Sequence, residues 1–190
     1  MQDICFVTSN TGKVASINQQ LAKTRYTLVQ RVLDTPELQA DTALEIATHK
    51  AKFAYKKLDR PVVVQDSAFN INALSGFPGP YIKYINETIG VKGILRLMEG
   101  KEDRTAYFEQ ALVYIDQMGE VHSFTSTEEA GNITKKPFDG DYEHSWSDLW
   151  RIYTPRSATK TLAELYAKEE HIPKHKTEII QFIEWLERQS

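Results

Sequence analysis

The sequence predicts an α/β protein, a mixed twisted sheet with flanking helices, and three observations carry that expectation. The first third alternates short apolar, β-branched runs with helical spacing in the order β-α-β-α-β. The middle holds two long β-rich runs, Arg104 to Asp116 and Val121 to Ile133, joined at Gln117-Met118-Gly119 as a hairpin. The last third returns to helical periodicity at Thr161 to Glu170 and His175 to Arg188.

Each element has a local cause. Ile4 to Thr8 is an apolar run that reads as a buried strand, and Ser9-Asn10-Thr11-Gly12 is a turn. From Lys13 to Lys23, Val14, Ile17 and Leu21 fall on one helical face. Tyr26 to Leu33 reads as a second strand, broken by Asp34-Thr35-Pro36-Glu37. Thr42 to Leu58 is a long helix with Leu44, Ala47, Ala51, Ala54 and Leu58 as its stripe. Pro61 to Gln65 is a third strand, ending on Asp66 and Ser67. Pro80 to Glu87 and Val91 to Met98 read as two short helices parted near Gly90. Lys135 to Ser147 is loop-like, Leu149 to Thr154 reads as a last strand, and Ile179, Phe182, Ile183 and Leu186 make one face of the final helix. The 190 residues fit a single domain, 1–190, with a second lobe expected at about 104–147.

Composition narrows the function classes. Apolar residues at 41% and charged residues at 26% are ordinary for a soluble globular chain. A net charge of −3 supplies no basic footprint, which argues against a nucleic-acid polymer as partner. No stretch approaches the ~20 apolar residues of a membrane span. The single cysteine, Cys5, allows no intrachain disulfide and sits in the apolar run Ile4-Cys5-Phe6-Val7, where it reads as a small core hydrophobe. A cytoplasmic location is expected. The five histidines show no metal-ligand spacing, and Pro173 lies between His171 and His175, so zinc is not expected.

Four segments hold residue types suited to phosphate chemistry. Thr8-Ser9-Asn10-Thr11-Gly12-Lys13 sets a lysine at a helix start, where backbone N–H groups attract anions. It lacks the spacing of a Walker P-loop, and taken alone it reads equally as an ordinary turn capped by Asn10 or Thr11. Glu37 follows strand two and approaches Asp66 if the strand ends share one edge; two carboxylates suit a hydrated Mg²⁺, although a solvated acidic loop has the same composition. Lys50 lies about one helical turn beyond Glu45, and by itself reads as a solvated helix lysine. Asp66 at the end of an apolar strand is costly unless paired or metal-bound. Ser67 beside it is a hydroxyl ligand or a cap, and Lys83 follows the rigid Pro78-Gly79-Pro80 loop. Trp146, Trp150 and Trp185 read as packing or, for the first two, as base-stacking rings.

Together and in order, these segments resemble the inosine triphosphate pyrophosphatase family, the non-canonical purine NTP pyrophosphatases. Thr8 to Lys13 is similar to the family's Thr-x-Asn-x-Gly-Lys, and Pro36-Glu37-Leu38-Gln39 to its acidic Pro-Glu-x-Gln loop. Glu45 to Ala51 falls on its Glu and Lys-Ala helix, and Thr161-Leu162-Ala163-Glu164-Leu165 resembles its Thr-Phe-Ala-Glu-Leu. Asp66-Ser67 followed by Ala73 to Lys83 matches its most specific signature. The resemblance implies two lobes around a central cleft, a homodimer, and Mg²⁺-dependent cleavage of a nucleoside triphosphate to the monophosphate and pyrophosphate. It implies that Asn10, Lys13, Lys50 and Lys83 hold phosphate oxygens, with Thr8 and Ser67 beside them. Glu37 and Asp66 would bind metal or activate water, and Trp150, His175 and Lys176 would lie on the base side.

The departures are as specific as the matches. Gln65 stands where the family has a second acid, and an amide cannot take a proton from water. Ser147-Asp148-Leu149-Trp150-Arg151 matches the purine loop only in part. Lys174-His175-Lys176 replaces Ser-His-Arg, and Glu170-His171 replaces Lys-Asn. Lysine does not reproduce a planar arginine fork. The expectation is a pyrophosphatase with altered base recognition, a deaminated purine such as ITP or XTP leading. The alternatives are a nucleotide-binding protein that has lost turnover through Gln65, and a partner-binding domain carrying the matched residues as relics.

Overall fold

The computed structural model describes residues 2–36, 38–128, 130–141, 147–170 and 177–189. Their elements are β1 (Gln2–Val7), α1 (Thr11–Leu21), β2 (Tyr26–Arg31), α2 (Ala43–Leu58), β3 (Val62–Ile71), β4 (Pro78–Gly79), α3 (Ile82–Glu87), α4 (Gly90–Leu97), β5 (Thr105–Ile115), β6 (Val121–Thr127), β7 (Gly131–Ile133), β8 (Tyr153–Thr154), α5 (Leu162–Ala167) and α6 (Glu178–Arg188). The sheet is mixed and the helices flank it, as the sequence predicts. By internal contacts the chain divides into one unit of Met1–Ser67, Gln110–Ser126 and Lys176–Ser190, and a second of Ala68–Glu109 and Thr127–His175.

The first unit is the β-α-β-α-β stretch plus the end of β5, β6 and α6. Its strand order is β2-β1-β3-β5, with β6 on β5. β1 runs parallel to both β2 and β3, as helical crossovers require. Phe6, Ile17, Leu28, Val62 and Val63 are buried there. α1 starts two residues earlier than its apolar spacing indicates, because Asn10 is its cap: the Asn10 side chain accepts the Lys13 N–H at 3.1 Å. At α2, Thr42 and Glu45 cap each other reciprocally, and Asp59 ends the helix in the left-handed region at φ 48°. Ile179, Phe182 and Leu186 of α6 are buried as its stripe predicts. Tyr114 and Phe124 each bring a ring centroid 5.5 Å from that of Phe182. These rings explain why residues 110–126 group with the first unit and not with the lobe expected at about 104–147.

Three strand assignments change. β3 does not end at Gln65; it continues to Ile71, since Ala68, Phe69 and Ile71 are buried again and Phe69 pairs with Gly79 of β4. Asp66 is therefore a mid-strand residue. The run from Val121 to Ile133 is two strands, β6 and β7, and β7 pairs antiparallel with β5 and β8. Leu149 to Thr154 is mostly a 3-10 turn, Asp148–Arg151, because the Ser147 hydroxyl accepts the Leu149 N–H at 3.2 Å and winds the chain before the short β8. α5 is shorter than 161–170, with Glu169 in the left-handed region at φ 51° beyond its end.

The second unit packs around rings. Phe69, Phe108 and Tyr153 meet with centroids 4.4 to 5.7 Å apart, within the range of tilted and edge-to-face pairs. The Arg104 guanidinium donates to the carbonyls of Met98, Ile133 and Thr134, fixing the ends of α4 and β7. Among the described residues no helix is long and apolar enough to cross a membrane.

Candidate active site

Parallel register decides where polar groups gather in the first unit. Phe6 lies opposite Val63, so β1 runs out just short of the level of Gln65 and Asp66, while β3 continues past it. The chain then turns over this exposed edge into α1. Thr8 Oγ1 accepts the Asn10 N–H at 3.1 Å, and Asn10 Oδ1 accepts the Lys13 N–H at 3.1 Å. Both side chains thus shape the turn that presents the helix start. Gly12 suits it, since a Cβ there would lie 3.2 Å from Asn10 Oδ1. A helix start leaves backbone N–H groups without helical acceptors, and so favours anions.

Two lysines and an aspartate meet at this edge. Lys50 of α2 donates from Nζ to Asp66 Oδ2 at 2.8 Å, and both side chains are 19% exposed. Asp66 Oδ1 accepts the Ser67 N–H at 3.1 Å, and Ser67 Oγ donates to Gln110 Oε1 at 2.5 Å. Burial of its ammonium end pushes Lys13 below the ordinary lysine range; the carboxylates of Asp66 and Glu178 pull it back up, and Lys50 lowers it further. Lys13 therefore lies within the fields of Asp66, Glu178 and Lys50 together.

Glu178 was not legible as a site residue. It opens α6 at 2% exposure. Its Oε1 accepts from Gln65 Nε2 at 2.5 Å and its Oε2 from Ser126 Oγ at 2.6 Å. An acid in the first turn of a helix complements the helix dipole and signals nothing more. Only the pairing with Gln65, 113 residues away, reveals it. Gln110 was missed for the same reason, being one polar residue in a long strand.

The remaining candidates divide by place. Thr8, Asn10, Lys13, Lys50, Asp66 and Ser67 all belong to the first unit. Glu45 is engaged in the α2 capping box. Lys83 lies exposed on α3 of the second unit. Trp150, also in the second unit, is 8% exposed and stacked on Tyr166 with ring centroids 4.8 Å apart. Glu37, His175 and Lys176 lie outside the described residues, as do Trp146 and Lys174. Among the described residues no group of three or more His, Cys, Asp or Glu is arranged to hold a metal.

The architecture is that of an open mixed-sheet α/β protein with flanking helices. The Ham1 family model matches residues 4–182, and the chain belongs to that family. It is similar to the dITP/XTP pyrophosphatase of Methanopyrus kandleri, 40% identical over 185 residues that cover 96% of this chain and 95% of the relative. It is 33% identical to the dITP/XTP pyrophosphatase of Thermococcus kodakarensis over 184 residues, 96% of each chain. Among solved structures, a HAM1 protein from Coxiella burnetii matches with a TM-score of 0.83 at 21% identity, over 99% of this chain and 100% of the other. The Ham1 protein of Staphylococcus aureus matches with a TM-score of 0.80 at 22% identity over both full chains. The structures establish the fold and the sequence matches the family, so the resemblance drawn from the motifs is borne out.

Proposed function

We propose that this protein hydrolyses non-canonical purine nucleoside triphosphates of the dITP and XTP class to the monophosphate and pyrophosphate. The observation that carries the reading is the Lys50–Asp66 contact of 2.8 Å, with Lys13 at the start of α1 lying in the fields of both groups. It occurs in a chain 40% identical, over 96% of its length, to a dITP/XTP pyrophosphatase.

Phosphoanhydride hydrolysis asks a protein mainly for positioning and charge stabilisation. The α1 start and Lys13 bind phosphate oxygens, with Thr8 and Asn10 holding the turn in shape. Lys50 supplies a further cation, and the family resemblance gives Lys83 the same role. Water adds to the α-phosphorus, the α–β bridging P–O bond breaks, and pyrophosphate leaves with the electron pair. Asp66, held by Lys50 and the Ser67 N–H, orients that water with Glu37, and the released proton passes through a carboxylate to solvent. The lysine charges offset the charge that develops on the leaving pyrophosphate. Trp150 acts on the base side through the Tyr166 ring it stacks against, together with His175 and Lys176.

The donor set fits magnesium, which binds proteins through one or two carboxylates plus substrate phosphates and keeps several waters. Asp66 qualifies: its Oδ2 accepts from Lys50 Nζ at 2.8 Å and its Oδ1 from the Ser67 N–H at 3.1 Å, and each oxygen retains a lone pair. Asp66 and Glu37 would hold Mg²⁺, which when bound neutralises phosphate charge and lowers the cost of activating water. The altered Ser147 to Arg151 and Lys174 to Lys176 segments give the altered base recognition, and a cytoplasmic homodimer accompanies the reading.

The test is a panel of nucleoside triphosphates incubated with Mg²⁺, following pyrophosphate and monophosphate. Release from dITP or XTP in excess of the canonical nucleotides is expected; hydrolysis of none overturns the reading. Nucleotide binding without pyrophosphate release would select a catalytically impaired binding protein, the reading that Gln65 favours.

A further inference from the structure

We infer that Glu178 is a positioning residue that fixes the Gln65 amide so that its oxygen, and not its nitrogen, serves the reaction. The inference rests on the pyrophosphatase reading and extends it to a residue on α6.

The argument begins with what a carboxylate can accept. Ser126 Oγ donates to Glu178 Oε2 at 2.6 Å, which leaves Oε1 to face Gln65 at 2.5 Å. A carboxylate oxygen accepts, so the Gln65 atom turned toward it is the amide nitrogen. The orientation of an amide is settled by such partners and not by its shape. Its oxygen must then point away from Glu178. That oxygen is buried and has no hydrogen-bond partner among the described residues, although Gln65 is only 6% exposed. An orphaned buried acceptor is costly, and natural proteins keep few of them.

Position gives the orphan a use. Gln65 precedes Asp66 on β3, just beyond the end of β1, and the Lys13 ammonium lies in the fields of Asp66 and Glu178 alike. Gln65 Oε1 is therefore an acceptor waiting for a donor, and the donor is the reacting water. In this chain β3 carries an amide at position 65, and the carboxylate that faces it comes from α6. From there it cannot reach the reaction directly, but it dictates which end of Gln65 does.

Glu178→Gln tests this with almost no change of shape. Ser126 would keep its bond to the new carbonyl oxygen, so the new amide nitrogen would face Gln65 and force it to flip. The site would then present N–H₂ where it had oxygen. With dITP and Mg²⁺, kcat is expected to fall about 10- to 100-fold, the scale of lost second-layer support in comparable sites. KM should stay within about twofold, because the interaction matters at the chemical step. The exchange Gln65→Glu with Glu178→Gln restores both hydrogen bonds and the oxygen, and should recover most of kcat. Wild-type kcat in Glu178→Gln overturns the inference. So does a swap that regains the wild-type Tm without regaining kcat, since it would make Glu178 structural only. A wild-type protein inactive on every nucleotide overturns the underlying reading and the inference with it; active wild type with indifferent variants removes the inference alone.

Discussion

Around β3 the first unit gathers charge: Glu178 is buried against Gln65, the Lys50–Asp66 pair is half-buried, and Lys13 lies within the fields of Asp66, Glu178 and Lys50. Around β5, β7 and β8 the second unit buries rings: Phe69, Phe108 and Tyr153 in one cluster, and Trp150 beneath the exposed Tyr166 ring. The first arrangement is a poor way to stabilise a fold, because desolvated charges cost more than their pairing returns. The second is efficient, since large rings remove much surface from water and add pair energy. A chain that builds the second kind of interior and also carries the first matches what the proposed phosphate chemistry asks for.

Substitutions can break or sharpen that contrast. Asp66→Asn should have the largest effect, lowering kcat/KM for dITP about 10²- to 10⁴-fold, the range for a lost acid-base group. A comparable loss of stability in place of activity would make the pair structural and dissolve the contrast. Trp150→Ala should show its largest effect on stability, whatever it does to base preference. It removes a buried indole from the second unit's core, at a cost of about 3–5 kcal/mol in urea unfolding. If the midpoint hardly moves, Trp150 is not the packing residue its burial makes it.

Lys13 supplies a pH test. Burial holds its pKa below the usual lysine value, so its full charge is present below that lowered pKa and is lost as pH rises through it. KM for dITP should therefore climb in alkaline buffer, and Lys13→Arg, whose guanidinium stays charged, should flatten the climb. Identical curves for both proteins would remove Lys13 from phosphate binding.

The smallest effect belongs to Asp116 at the turn between β5 and β6. Burial raises its pKa, but the bonds from His122 and from the Glu120 and Met118 N–H groups outweigh that and leave it lowered. A folded pKa below the unfolded one contributes stability above the unfolded value, lost as pH falls through the folded value. Asp116→Asn should lower Tm by a few degrees at neutral pH and leave it unchanged in strong acid, with kcat untouched. Equal losses at both pH values would assign the effect to the loop geometry alone.

Much of the architecture was legible because it is local. The Thr8 to Lys13 turn, the long helix that follows Thr42 and the α6 stripe each declare themselves within a few residues. What escaped was set at long range. The continuation of β3 beyond Asp66 depends on β4 and β5 as neighbours, so a carboxylate and a hydroxyl in a row looked like an ending. Leu149 to Thr154 has the apolar content of a strand, but a single hydroxyl, that of Ser147, bends it. Glu178 escaped because its meaning lies in Gln65 and Ser126, which share no sequence neighbourhood with it.

The 2.8 Å contact between Lys50 and Asp66 has a further consequence for selectivity. Lys50, proposed to hold phosphate, and Asp66, proposed to hold magnesium, satisfy each other. A bare anion arriving alone must strip Lys50 from its partner, and a bare divalent ion must strip Asp66. Only a polyphosphate that brings its own metal replaces both halves of the bargain at once. On the proposed reading the pair would favour a metal-bearing polyphosphate over either free ion, a preference that competition by inorganic phosphate and by magnesium alone would measure.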